Sequence, residues 1–262
     1  MIQSLYTAST GMLGMQSQIN VTANNIANVN TIGFKKSRAE FADLMYNVME
    51  YAGTSTSDVT KSPTGIEIGL GSRPTAVNKV FSEGSLKQTD NQLDVAITGR
   101  GFFQLELPDG TPVYSRNGAF KVDSNGTVVN GDGYTLIPQI VVPPDATNVT
   151  IGTDGTVTVV QSGQTQATQI GQITTTNFIN PAGLHSMGDN LYVETDSSGQ
   201  PVQGTPGLNG LGVLRQGFVE LSNVELVVEL TDLITAQRAY DSNSKVITTS
   251  DEMLQTTNNL KR

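Results

Sequence analysis

The chain has 262 residues, a formal net charge of -9 and no cysteine. This length is sufficient for one large domain or two small ones. Without cysteine, disulfide bonds and thiolate metal sites are excluded, and the acidic balance argues against nucleic acid as a partner because phosphate groups bind basic surfaces. The 27 glycines are typical of a β protein rich in turns.

The first predicted element is a helix over residues 3–29. No Asp, Glu, Lys or Arg occurs from Met1 to Phe34. Because a helix that faces water usually carries charges on its outer face, we expect this helix to be packed on several sides. We favour packing between subunits over a helical hairpin within one chain. Apolar residues follow the heptad spacing of helices that pack side by side, in one line formed by Leu5, Met12, Ile19 and Ile26 and a second formed by Ala8, Met15, Thr22 and Val29.

The same N-terminal stretch fits neither a membrane span nor a secretory signal. Its Gln, Asn and Ser residues interrupt any apolar run of the roughly 20 residues that a span requires. The cationic start and continuous apolar core of a cleavable signal peptide are also missing. We therefore expect a chain that stays inside the cell or is exported without a cleaved signal peptide.

Residues 35–85 are predicted to connect the first helix to a β-rich region. Lys35, Lys36 and Arg38 form a short basic cluster at the start of this segment, which we interpret as a solvated helix exit. Three neighbouring cations are too few for a nucleic-acid surface on an acidic protein. This cluster is therefore not predicted to bind a ligand.

The rest of the connecting segment changes character at Gly53. Residues 39–51 keep a helical spacing of apolar side chains, whereas residues 53–73 are rich in Ser, Thr and Gly. Ile66 and Ile68 form one short alternating run within the second stretch. This composition predicts an extended excursion, either a long hairpin arm or a flexible linker.

Residues 86–221 are predicted to form a central antiparallel β-rich domain with a sandwich-like or barrel-like body. Short alternating runs recur about every ten residues, as in all-β folds. Phe102, Phe103 and Tyr114 alternate into this sheet and are predicted core residues. Asn-Gly and Asp-Gly between alternating runs are strong hairpin signals, and they occur at Asn117-Gly118, Asn125-Gly126, Asp132-Gly133 and Asp154-Gly155.

A second long helix is predicted from Ser222 or Asn223, which are good N-cap residues, to about Leu260. With the first helix it defines an α+β protein, in which the terminal helices pair as a coiled coil. Residues 1–34 and 222–262 then form one discontinuous polymerisation domain. The predicted packing residues of the second helix share heptad spacing, with Leu230 beside them, and are Leu226, Leu233, Tyr240, Ile247 and Leu254.

Enzyme chemistry has little support in this sequence. His185 is the single histidine, and its Gly- and Pro-containing context predicts a surface loop without a nucleophile motif. A hydrolase built on the β body would need a catalytic group of residues that the sequence does not offer. We therefore predict no catalytic, cofactor-binding or metal-binding residues.

Several stretches resemble flagellar rod and hook proteins. Residues 23–40, ANNIANVNTIGFKKSRAE, are similar to the N-terminal signature of that family, and residues 219–260 are similar to its C-terminal region. Between them, residues 94–103 (DVAITGRGFF), 108–118 (PDGTPVYSRNG) and 205–217 (TPGLNGLGVLRQG) resemble the β body of its distal-rod members. The resemblance covers nearly the whole chain.

This resemblance implies a structural subunit of the flagellar distal rod, with no small-molecule substrate. Such subunits are exported unfolded through the type III apparatus and assemble helically into a rigid, hollow drive shaft that crosses the periplasm and transmits torque. Their partners are further copies, other rod and hook proteins, the surrounding rings and the export apparatus. Residues 46–73 correspond to a segment associated with rod stiffness. A proximal-rod protein of the same family is the alternative, and a secreted β-rich adhesin is a further hypothesis.

Overall fold

The computed structural model describes residues 2–53, 63–164 and 166–260. Within these ranges two long helices, α1 (Ile2–Ala27) and α2 (Leu226–Leu260), lie at the two ends of the chain. α1 ends before Val29, and α2 begins after Asn223, so both predicted helices were slightly too long. No helix in the described part of the chain is long and apolar enough to cross a membrane.

Strands fill the chain between the two helices, together with a short 3₁₀ helix at Pro181–Gly183. In chain order, β1 to β20 of the described residues are Ser37–Asp43, Tyr46–Glu50, Ile66–Gly69, Ser72–Lys79, Leu86–Gln88, Val95–Thr98, Phe102–Glu106, Pro112–Ser115, Lys121–Val122, Val128–Val129, Thr135–Ile137, Ala146–Ile151, Thr156–Gln161, Thr168–Gln172, Thr175–Asn177, His185–Gly188, Leu191–Val193, Val202–Gly204, Val213–Gln216 and Phe218–Glu220.

Contacts divide the chain into two compact units. The helix unit comprises Met1–Ala27, Ser37–Asn78 and Glu225–Arg262, and the body unit comprises Asn28–Lys36 and Lys79–Val224. The helix unit therefore includes most of the segment that the sequence analysis assigns to a connection. The chain passes between the units four times.

The helix unit contains a two-stranded arm in addition to α1 and α2. β1 pairs with β4, and β2 continues the ladder by pairing antiparallel with β3. The helical spacing noted over residues 39–51 is therefore misleading, because these residues form β1 and β2. Of the two interpretations of the excursion, the structure supports a hairpin arm over residues 37–53 and 63–79, and residues 54–62 lie outside the described part of the chain.

The body unit confirms the predicted antiparallel β-rich domain. Its largest sheet has nine strands in the order β16-β17-β8-β7-β11-β10-β9, with β15 joining β7 to β18. β12, β13 and β14 form a three-stranded sheet, while β6 pairs with β19 and β5 with β20. These sheets are not closed into a barrel. His185 is exposed as predicted, although it begins β16 instead of lying in a loop.

The core of the body unit shows why neighbouring aromatic residues serve different clusters. Successive side chains of a strand point to opposite faces. Phe103 therefore packs in the main aliphatic cluster, while Phe102 packs with Tyr114, Phe178 and Tyr192 in a second, aromatic cluster. These rings meet edge to face, at centroid distances such as 5.8 Å for Phe102 and Phe178. The prediction that Phe102, Phe103 and Tyr114 are core residues is confirmed.

Candidate functional site

α1 and α2 pack against each other in antiparallel orientation. At one end, the Asn25 Nδ2 atom donates a hydrogen bond of 3.1 Å to the Glu229 carboxylate. Near the middle of both helices, Gly11 approaches α2 so closely that a Cβ atom there would lie 2.9 Å from the Asn243 Nδ2 atom. Because fourteen residues separate the two contacts on each helix, the register is constant between them, and the predicted pairing of terminal helices is confirmed. The pairing forms within one chain, whereas the sequence analysis favours packing of the first helix between subunits.

The face that α2 turns inward follows the predicted heptad spacing with a different composition. Its buried residues are Glu229, Ala236 and Ser250, which are polar or small. They form a second line with heptad spacing, because each lies three residues after a member of the predicted apolar line. Because its residues are polar or small, the spacing of large apolar residues in the sequence does not reveal this line. Of the predicted line, Leu233, Ile247 and Leu254 are half-buried, while Tyr240, Leu226 and the neighbouring Leu230 are exposed.

The predicted packing residues of α1 have a similar distribution. Ala8 and Thr22 are buried. Val29 lies in the turn after the helix and in the body unit, so it cannot belong to the helical seam. The arm also packs on α1, because Gly14 lies beside the Phe41 ring and Gly71 beside the Thr10 side chain. The remaining predicted residues are all half-buried, and they are Leu5, Met12, Met15, Ile19 and Ile26.

Asn25 connects the arm to both helices. Its side chain accepts a hydrogen bond of 2.9 Å from the Ser37 N–H and donates one of 2.8 Å to the Ser37 carbonyl oxygen, in addition to its bond to Glu229. Asn25 and Glu229 are both buried. A buried polar pair in a helical seam favours one register over others, so this contact fixes how the helix unit is assembled.

Large apolar side chains remain exposed on the outer surfaces of the helix unit. On α2, Val227, Leu230 and Ile234 lie on one face near its beginning. Farther along the same helix, Val246 and Met253 are separated by seven residues and form a second exposed line. Contiguous exposed apolar surface is uncommon on monomeric proteins and marks interaction sites.

The arm also carries strongly exposed apolar side chains. Met45 is 82% exposed, Met49 66% and Tyr51 73%. Ile66 and Ile68 of the opposite strand are also exposed. Since none of these side chains contributes to the interior of the chain, the arm resembles the outer faces of α2 as a candidate contact surface.

In the body unit, a buried ion cluster forms around Glu220. The Glu220 carboxylate accepts hydrogen bonds from the Lys35 Nζ atom at 2.6 Å and from the Arg116 Nε atom at 2.9 Å. The Gly84 N–H donates a third, at 2.9 Å. The interpretation of Lys35 as part of a solvated helix exit is wrong, because this side chain is fully buried. No local sequence signal identifies the cluster, since its three members come from distant parts of the chain.

Electrostatic effects at Glu220 favour its charged form. Burial alone would raise the pKa of this carboxyl group, but Arg116 and Lys35 outweigh burial and hold the pKa below its ordinary value. At Lys35, burial lowers the pKa against the opposing attraction of Glu220. The carboxylate of Glu220 is therefore the group on which the charge balance of the cluster depends.

The lowered pKa of Glu220 predicts a pH dependence of stability. A carboxyl group whose pKa is depressed by folding stabilises the protein above its unfolded pKa, about 4.3, and this contribution is lost as the pH falls through the folded value. We expect the free energy of unfolding of the body unit to decrease below about pH 4.3, and a Glu220→Gln variant to lose this part of the decrease. Urea unfolding between pH 6 and pH 3 measures both, and Glu106→Gln, at an exposed position, is the control. Parallel curves for wild type and Glu220→Gln would contradict the assignment.

The fold and these surfaces define a class of protein. It is an α+β protein in which the two chain ends form one helical unit with exposed apolar faces and the middle forms an antiparallel β body. Three family models match successive parts of the chain. They are described as flagella basal body rod protein (residues 5–35), flagellar hook protein FlgE/F/G D1 domain (residues 96–159) and flagellar basal body rod FlgEFG protein C-terminal (residues 215–260).

Similar proteins extend over nearly the whole chain. The flagellar basal-body rod protein FlgG of Buchnera aphidicola subsp. Schizaphis graminum is 52% identical, over 97% of this chain and 98% of its own. The FlgG proteins of Borreliella burgdorferi and Bacillus subtilis are 46% and 44% identical, each over 100% of both chains. Among solved structures, the hook protein FlgE2 of Helicobacter pylori covers 71% of this chain and 43% of its own, with a TM-score of 0.25 and 15% identity. The chain belongs to the family of flagellar basal-body rod proteins, and it is a structural subunit of the rod.

Proposed function

We propose that this protein is a non-enzymatic subunit of the distal rod, which assembles helically with further copies into a rigid, hollow drive shaft. The observation that carries the proposal is the apolar surface left exposed on both α2 and the arm. These surfaces differ from each other, so contacts between copies are heterologous. Heterologous contacts that do not close into a ring generate an open helical filament.

The same proposal explains why the contact between α1 and α2 within one chain is formed by small and polar residues. Within one chain, α1 and α2 meet through small and polar residues such as Ala8, Thr22, Ala236 and Ser250, which bury little apolar area. The larger apolar side chains face outward. Because the hydrophobic contribution scales with buried apolar area, contacts between copies stabilise the helices more than the contact within the chain does.

Electron microscopy of the purified, concentrated protein tests this function. Long straight tubes are the expected result, and monodisperse globular particles at high concentration would contradict it.

Of the alternatives, a proximal rod subunit would use the same surfaces, whereas a secreted β-rich adhesin would need a ligand-binding patch on the body unit. The other expected partners are further rod and hook proteins, the rings around the rod and the export apparatus. As part of the rod, the protein would cross the periplasm after export in unfolded form.

The arm provides a prediction about rigidity. We expect the double variant Met45→Ser, Met49→Ser to unfold at the temperature of the wild type, because exposed substitutions usually change stability by no more than about 0.5 kcal/mol. Its rods should be curved or short, since each copy loses two apolar contacts with its neighbours. Differential scanning calorimetry and electron microscopy measure the two properties. Met187→Ser changes a methionine that is also exposed, on the body unit, and should give straight rods. Straight, full-length rods from the double variant would show that the arm is only a spacer and does not contribute to rigidity.

A further inference from the structure

The four passages of the chain between the helix unit and the body unit use only three segments of the body unit. The first is residues 28–36, which lead to the helix unit at both ends, and the other two are the ends of the stretch from Lys79 to Val224. We define these crossing segments as residues 28–36, 79–84 and 220–224. Load that is transmitted along the covalent chain from one unit to the other passes through these segments. The way in which they are held together therefore bears on a protein that transmits torque.

Glu220 belongs to the third crossing segment and binds the other two. Its carboxylate accepts hydrogen bonds from Lys35 of the first segment and from the Gly84 N–H of the second. Its backbone carbonyl oxygen accepts a further bond of 2.8 Å from the Gly33 N–H. Arg116 fixes the carboxylate to the body, because the same guanidinium group also donates to the carbonyl oxygens of Gly99 and Gly101.

Asn223 repeats this arrangement three residues later. Its Oδ1 atom accepts a hydrogen bond of 2.7 Å from the Lys36 N–H. Its Nδ2 atom donates to the carbonyl oxygen of Val80 at 2.8 Å and to the Ser82 Oγ atom at 3.0 Å. The Val80 N–H in turn donates to the Lys36 carbonyl oxygen at 2.9 Å. This side chain is therefore not free to cap α2, the role suggested by its position in the sequence.

We propose that Glu220 and Asn223 form one mechanical joint, in which the crossing segments open and close together and share an applied load. The proposal rests on the proposed function only in naming torque as that load. Separate, independently held segments would twist one after another. A joint of interlocking hydrogen bonds instead distributes the twist over all of them, since no segment can move without breaking bonds to another.

Hydrogen exchange of the full chain tests the joint directly. Removing the Asn223 side chain in Asn223→Ala should accelerate exchange of the Lys36 N–H roughly three- to tenfold, the change expected for one lost hydrogen bond. If the segments open together, the amides of Gly33 and Gly84 should accelerate by a similar factor, although the hydrogen bonds of the Asn223 side chain go to Lys36, Val80 and Ser82. Acceleration confined to Lys36 would overturn the proposal.

Asn130→Ala is the matched control. Asn130 is a buried asparagine of the body unit whose side-chain oxygen accepts hydrogen bonds from the N–H groups of Asp132 and Tyr134. The Asn130→Ala substitution should accelerate exchange in its own turn and leave exchange in the crossing segments unchanged.

A second experiment expresses each variant in cells that lack their own rod subunit. Cells that express Asn223→Ala should assemble rods, yet they should swim more slowly in viscous medium than cells that express Asn130→Ala. Equal swimming would refute load sharing, whereas failure of the wild type to restore motility would refute the proposed function and leave the exchange result to judge the joint.

Discussion

Glu220→Gln should lower the unfolding temperature of the body unit by roughly 10 °C. The substitution keeps the shape of the side chain but removes its charge, so that Lys35 and Arg116 are left as two buried cations without a counterion. Removing one partner of a buried ion pair costs about 3–5 kcal/mol, and in a domain of this size each kcal/mol shifts the transition by about 2–4 °C. Differential scanning calorimetry of the full chain measures the shift.

A second substitution tests whether the cause is the uncompensated charge. Adding Lys35→Met to Glu220→Gln removes one of the two unpaired cations, so the double variant should be more stable than Glu220→Gln alone. Such a recovery is expected because buried ion pairs replaced by apolar groups are often neutral or stabilising. If the two substitutions destabilise additively, the role of the cluster lies in packing and not in charge.

Ile247→Asp should abolish assembly and leave the body unit folded. Ile247 is half-buried, three residues before the buried Ser250 of the inward face of α2. A carboxylate placed there costs roughly 3 kcal/mol or more, enough to separate two helices. The body unit has its own core, so its thermal transition should hardly change. Electron microscopy and calorimetry report the two outcomes, and Leu233→Asp should behave in the same way.

Two comparisons make this result specific. Ile247→Leu keeps the apolar volume and should assemble, because such exchanges usually cost less than about 1.5 kcal/mol. Leu230→Asp changes a residue that is exposed in the single chain. It should leave the helix pair intact by circular dichroism yet prevent assembly, which would assign this outer face to contacts between copies. Normal filaments from Ile247→Asp would show that the heptad seam is not required for assembly.

Local patterns were sufficient to predict the class of fold. The heptad spacing of apolar residues on α2 and the charge-free stretch of α1 each specify a helix that needs partners, and alternation with Asn-Gly and Asp-Gly turns specifies antiparallel strands. These signals depend on residues close together in the chain, so they can be recognised without tertiary information. The signature over residues 23–40 also placed the chain in its family, which the comparisons confirm.

The arm shows where local patterns fail. Phe41, Leu44, Met45 and Val48 have the spacing of a helix, yet they lie in or between β1 and β2. Strand formation depends on pairing and on side-chain packing more than on intrinsic preference. Here β4 supplies the partner from across the excursion, and α1 supplies the surface against which Phe41 packs. Only the tertiary structure could therefore decide this segment.

The Glu220 cluster was hidden from the sequence for a related reason. A charged residue in isolation is most economically assigned to the surface, because burying an unpaired charge is costly. Lys35, Arg116 and Glu220 escape this cost by meeting one another, and residues so distant in the chain meet only after the body unit has folded. The sequence by itself determined that the two ends of the chain are helices that need packing partners and that its middle forms antiparallel hairpins. The tertiary structure decided which polar residues are buried, because burial of a charge depends on partners that the fold alone brings together.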